Sequence, residues 1–199
     1  MKFKKLFNAI VIAGTVASVS ACSQMQTAMS GLGKDAEQQK EEKVQQIKAE
    51  ASKLYEVHHE DGRLYFFYDR KSYTHFLQHG ETPYTYKRIA SGPHGETLVF
   101  GLMGKDKKKT SGIPSVEMFD GKQQPELFYG EARVEGRIYV FSTLKDMEDM
   151  RTVGEAPYRY TDIGSGPNGE TVVYVLNKGN KKKRPDALIA AFKKAYNKM

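Results

Sequence analysis

The chain has 199 residues, with 12 Tyr, 10 Phe, no Trp, one Cys and a formal net charge of +7. A single cysteine excludes an internal disulfide and a cysteine-rich metal site. The length suits one domain or two small ones, and the aromatic content favours strands packed into compact cores.

In chain order, residues 1–21 read as an export signal. Lys2, Lys4 and Lys5 form a basic start, and an apolar stretch runs from Leu6 to Val19. It is too short and wrongly flanked for a membrane span. The run Val19-Ser20-Ala21-Cys22 resembles a bacterial lipobox. That resemblance implies cleavage before Cys22, and a lipid on its thiol and new amino group. It implies a lipid-anchored protein of the cell envelope, with the membrane as its partner and no free thiol nucleophile. Ser23 follows the cysteine, and by the sorting pattern of that class in Gram-negative bacteria this implies the outer membrane. Loss of the three leader lysines lowers the charge to +4. Neither this charge nor export points to a nucleic-acid partner.

Residues 22–34 are small, polar and glycine-containing, the composition of a flexible tether. Residues 35–54 carry good helix formers behind Asp35, a capping residue, and predict a helix with a thin apolar side (Val44, Ile47, Ala51, Leu54).

A repeat then dominates. Tyr55–Lys109 aligns without gaps on Tyr129–Lys183 at an offset of 74, with 23 identities in 55 positions. Self-similarity on this scale signals duplication. Each copy reads as β-β-α-β-β. A run such as Tyr55–Glu60 meets a turn at Asp61-Gly62, or Glu135-Gly136, and returns as Arg63–Tyr68 or Arg137–Phe141. A short helix follows, capped by Asp69 or Thr143 and stopped by Gly80 or Gly154. Its buried side is predicted to be Tyr73, Phe76 and Leu77, with Met147 and Met150 in the first two of those positions in the second copy. A second hairpin turns through Ser91–Gly95 or Gly166–Gly169. The runs Thr97–Leu102 and Thr171–Leu176 are apolar on both parities, as in strands covered on both faces. The expected fold class is α+β: tandem modules at 55–120 and 121–199 packed as a pseudo-dimer, an N-terminal helix, and a C-terminal helix from Pro185 with a Leu188, Phe192, Tyr196 stripe. Thr110–Glu126 reads as a link.

Gly164-Ser-Gly166-Pro-Asn-Gly169 matches a dinucleotide fingerprint, but a β-branched strand follows where that motif needs a helix. All five histidines lie in the first copy. His75 and His79 stand i, i+4 on the predicted helix, a spacing that suits zinc or copper, although on its solvent side. No other cofactor motif is present. Arg63, Tyr84 and Tyr86, with Arg137, Tyr158 and Tyr160, recur in both copies. They serve turns and packing, or else line a groove for a sugar or peptide. Lys107, Lys108 and Lys109 recur as Lys181, Lys182 and Lys183 behind the last strand of each module. They are either solvated loops or contacts to an anionic envelope surface. No catalytic motif is legible. The sequence therefore favours a non-catalytic binding or structural role, with an envelope protein or an anionic surface as partner. Metal binding, or an enzyme acting on envelope polymers, are the alternatives.

Overall fold

A computed structural model describes residues 51–196. The leader, Cys22, the tether and most of the 35–54 helix lie outside these residues. The elements are β1 (Ser52–His59), β2 (Arg63–Phe67), α1 (Arg70–His79), β3 (Thr85–Arg88), β4 (Thr97–Gly101) and α2 (Pro114–Phe119). They continue as β5 (Phe128–Val134), β6 (Arg137–Phe141), α3 (Leu144–Val153), β7 (Tyr158–Asp162), β8 (Thr171–Leu176) and α4 (Asp186–Tyr196).

The helix expected over 35–54 is corrected at its end. Ser52–Leu54 already belong to β1, paired with Phe128–Gly130 of β5, and Leu54 is wholly buried. Sheet pairing and burial override a modest local helix preference. The expected caps form. Asp69 Oδ1 accepts the Ser72 N–H at 2.8 Å, and Thr143 Oγ1 accepts that of Asp146 at 3.1 Å. Gly80 and Gly154 close α1 and α3 at φ 73° and 89°, the left-handed conformation that lets the helix stop. The supposed link contains α2, with Pro114 in its first turn and Ile113, Val116 and Met118 buried. Leu77 is 38% exposed rather than buried, because α1 touches the sheet through Tyr73 and Phe76.

All eight strands form one sheet, in the order β3-β4-β2-β1-β5-β6-β8-β7. β1 and β5 pair in parallel at its centre, and each half extends outward by the same sequence of antiparallel and parallel pairings. The two inner hairpins differ by one residue. Three residues join His59 to its partner Arg63, ending in Gly62 at φ 74°. Only Glu135 and Gly136, both at positive φ, join Val134 to Arg137. Both are favoured hairpin turns. The shorter turn displaces β5 by one residue from the ungapped alignment. Glu56 faces Phe66, and Glu131 faces Val140, the counterpart of Phe66. Glu56 therefore corresponds to Glu131, not to Gly130. A one-residue shift moves side chains to the other face.

The sheet has a core on each face. One gathers Leu54, Phe66, Phe100, Phe128 and Phe141 under Val116 of α2 and Met147 and Met150 of α3. The other gathers Tyr55, Phe67, Val140 and Tyr174 under Tyr73 and Phe76 of α1 and Leu188 and Phe192 of α4. The C-terminal stripe thus packs as the sequence predicts, and each face carries two helices. The chain is mixed α and β, with one eight-stranded sheet and four α-helices among the described residues.

Candidate functional site: cationic edge tyrosines and buried ion pairs

Strand directions put three features at one end of the sheet: the start of β1, the end of β4 and the end of β8. The basic loops leave from the last two. Lys107, Lys108, Lys109, Lys181, Lys182 and Lys183 are all exposed. Five strand spacings separate β4 from β8, about 24 Å at ~4.8 Å each. Both loops are braced from below. In the first, the buried Asp106 carboxylate accepts Tyr68 Oη and lies 2.7 Å from Lys109 Nζ. Those bonds, led by that from Lys109, hold the carboxyl below its ordinary range. In the second, Asn180 Oδ1 accepts the Asn177 N–H at 2.7 Å, and Asn177 Nδ2 donates to Asp146 Oδ2 at 3.0 Å.

From these loops cations reach back over tyrosines at the two sheet edges, Tyr84 just before β3 and Tyr158 and Tyr160 in β7. Lys107 Nζ lies 5.5 Å from the ring centre of Tyr84. Its counterpart Lys181 lies 4.3 Å from that of Tyr158 and donates to its hydroxyl at 3.2 Å. Arg184 stands 5.6 Å from the Tyr160 ring and donates to its hydroxyl at 3.4 Å. Exposed contacts of this kind contribute about 0.5–1 kcal/mol each. They hold positive charge outward beside an aromatic surface.

The groove expected from Arg63, Tyr84 and Tyr86, with Arg137, Tyr158 and Tyr160, is not assembled. Tyr86 shares a face with its partner Phe100, whereas Arg63 shares the opposite face with Tyr65 and Phe67. Tyr158 and Tyr160 lie on the Tyr174 face, and Arg137 on the other. Alternation along strands makes this separation unavoidable. Both arginines also sit at the far end of the sheet from the basic loops. The tyrosines keep cationic partners, but from the loops rather than from Arg63 and Arg137. Tyr86 is the exception, with Arg88 of its own strand 5.5 Å from its ring.

His75 and His79 are exposed, with ring centres 4.4 Å apart, and His75 Nδ1 lies 3.3 Å from the Glu81 carbonyl. Among the described residues, no group of three or more His, Cys, Asp or Glu is gathered as a metal site.

Comparison of the chain with protein-family models, curated proteins and solved structures returns no match. No helix among the described residues is long and apolar enough to cross a membrane.

Two buried glutamates were missed from the sequence. Glu131 is fully buried. It accepts Tyr129 Oη at 2.7 Å, Tyr196 Oη at 2.6 Å and Arg70 Nη1 at 3.1 Å. Burial, and then the Glu131 charge, push the Tyr196 hydroxyl up to about 12. On the opposite face Glu56, 1% exposed, accepts Arg151 Nε at 3.0 Å on both oxygens and lies 2.7 Å from His58 Nε2. Burial favours a neutral Glu56, but Arg151 and His58 outweigh it and lower its carboxyl below the ordinary range. The two pairs are reciprocal. Arg70 of the first half reaches Glu131 of the second, and Arg151 of the second reaches Glu56 of the first. One signal was available: each glutamate interrupts an apolar stretch, Leu54-Tyr55-Glu56-Val57 and Phe128-Tyr129-Gly130-Glu131-Ala132.

The recurring Gly-Pro-x-Gly-Glu has a structural function. Glu96 Oε2 accepts the His94 N–H, and Glu170 Oε2 accepts that of Asn168, each at 2.8 Å. A Cβ at Gly92 or Gly166 would collide with those carboxylates. Arg133 also donates to Glu170 Oε1 at 2.7 Å. Burial opposes ionisation of Glu170, but the bonds from Arg133 and Asn168 prevail and take its carboxyl down to about 2.

Proposed function

We propose that this is a lipid-anchored cell-envelope protein with a non-catalytic binding or structural role. Cys22 attaches it to the outer membrane, and the two basic loops rest on anionic headgroups there. One observation carries this reading. The end of the sheet where β1 begins, nearest in sequence to Cys22, is also the end bearing Lys107–Lys109 and Lys181–Lys183. Near an anionic membrane each such residue adds up to about 1 kcal/mol of attraction, and it falls off within a Debye length. Two patches about 24 Å apart resist tilting better than one. The sheet is best explained as two copies of a β-β-α-β-β module packed as a pseudo-dimer. The palindromic strand order and the identical pairing pattern of each half support this.

The test uses a Cys22→Ser chain, which lacks the lipid, and vesicles of phosphatidylcholine with or without phosphatidylglycerol. The expected result is co-sedimentation with the acidic vesicles only, lost in high salt and lost when the six lysines become alanine. Equal binding to neutral vesicles, or binding indifferent to the six substitutions, overturns the reading.

A further inference from the structure

We propose that a cleft on the α2–α3 face is a binding site for a neutral, polyhydroxylated ligand, such as one sugar unit of an envelope polymer. It is independent of the membrane-facing loops. The cleft is shallow and open to solvent, and offers about 450 Å³ between the C-terminal end of α2, the β3–β4 turn and α3. That is in the lower part of the range for small-ligand pockets.

The chemistry of its walls selects the ligand. Phe119 supplies an aromatic surface, fixed edge-on against Phe66 and Phe100. Arg151 stacks on it at 5.1 Å, and Asp120, Gln124 and Glu148 stand around it. The charges of Arg151 and Asp120 are already matched. Glu56 neutralises Arg151, and Arg88 holds Asp120 through two bonds of 2.6 and 3.0 Å. Burial, partly opposed by Arg151, raises the Glu148 carboxyl above its ordinary range. An anion gains little in such a setting. Hydroxyl groups gain acceptors from the carboxylates and both donor and acceptor from Gln124. Gly92 presents bare backbone on the opposing wall, because its Cβ position is taken by the Glu96 carboxylate. Apolar C–H surface of a ring can lie on Phe119.

The other half places a different residue at the corresponding position. There Arg133 spans from the β7–β8 turn to α1, donating to Glu170 at 2.7 Å and to Tyr73 at 3.0 Å. In the strand register, His58 corresponds to Arg133, since Leu64 and Ile138 are their partners. His58 turns to Glu56 instead, and that bridge is replaced by open space.

The experiment follows amide resonances of the full chain in detergent during titration with N-acetylglucosamine, its trimer and inorganic phosphate. The sugars are expected to move resonances of residues 91–92, 119–124 and 148–152, while phosphate leaves them in place. Gln124→Trp, at an exposed wall position, should fill the cleft and weaken binding at least tenfold with the remaining spectrum intact. Glu148→Gln keeps the shape and tests the acceptor, with a severalfold loss expected. No shifts, shifts centred elsewhere, an equal response to phosphate, or wild-type binding by a folded Gln124→Trp chain overturns the proposal.

Discussion

Arg151→Met removes one partner of the most deeply buried ion pair and leaves the other in place. Arg151 is 6% exposed and Glu56 1%, so water cannot replace the lost guanidinium. Stranding a buried charge in this way costs about 3–5 kcal/mol. The guanidinium also lies 5.2 Å from the Phe66 ring and 5.1 Å from that of Phe119, contacts worth about 0.5–2 kcal/mol that methionine only partly restores. A loss of about 4 kcal/mol is expected, most of a small domain's stability. The deficit has a pH signature. Without Arg151, burial raises the Glu56 carboxyl above its unfolded value. A group whose pKa is raised in the folded state contributes stability at low pH and loses it as pH rises past the unfolded value. The variant should therefore lag the parent more at pH 7 than at pH 4. Adding Glu56→Leu should recover much of the loss, because apolar replacement of a whole buried pair is close to neutral. Urea unfolding followed by tyrosine circular dichroism at both pH values measures all of this; the chain has no Trp. A single-variant loss below about 1 kcal/mol, or a double variant no better than the sum of both singles, refutes the reasoning.

The Glu170 carboxyl, taken down to about 2, contributes stability above its unfolded value and loses it as pH falls. Glu170→Gln should cost about 1–2 kcal/mol at pH 7 after solvent screening, with the gap from the parent closing between about pH 4.5 and pH 2. Unfolding curves across that range check both the size and the sign. Ala90 sits at φ 50°, where the second half has Gly164 at φ 70°. Ala90→Gly should raise stability by about 0.5–1 kcal/mol, as relief of left-handed strain exceeds the added freedom of the unfolded chain, and a rise in melting temperature would report it.

The sequence repeat was legible because composition, turns and caps recur together. Asp69 and Thr143 cap, and Gly80 and Gly154 stop, through interactions within a few residues of themselves. The α2 helix was not legible, because six residues give too short a period to see, and burial of Ile113, Val116 and Met118 is what holds it. The one-residue slip at β5 was hidden by a gapless alignment, since nothing local says that a three-residue turn faces a two-residue one. The groove was misread because each copy's arginine and tyrosines belong to strands whose faces only the register fixes. The tyrosine–lysine contacts were half legible. Both partners recur at the same offset, but their meeting depends on a loop folding back past the end of a strand.

Sequence alone determined what nearest neighbours control, the strand and helix periods and the turn glycines, and it carried the internal repeat in plain view. Tertiary structure decided what distance along the chain conceals. It joined the halves through parallel β1 and β5, set Arg70 against Glu131 and Arg151 against Glu56, and opened the cleft beside α2 and α3. The physical reason is the same in each case. A charge buried by residues 61 or 95 positions away is chosen by packing and desolvation, and neither has a signature in the local pattern.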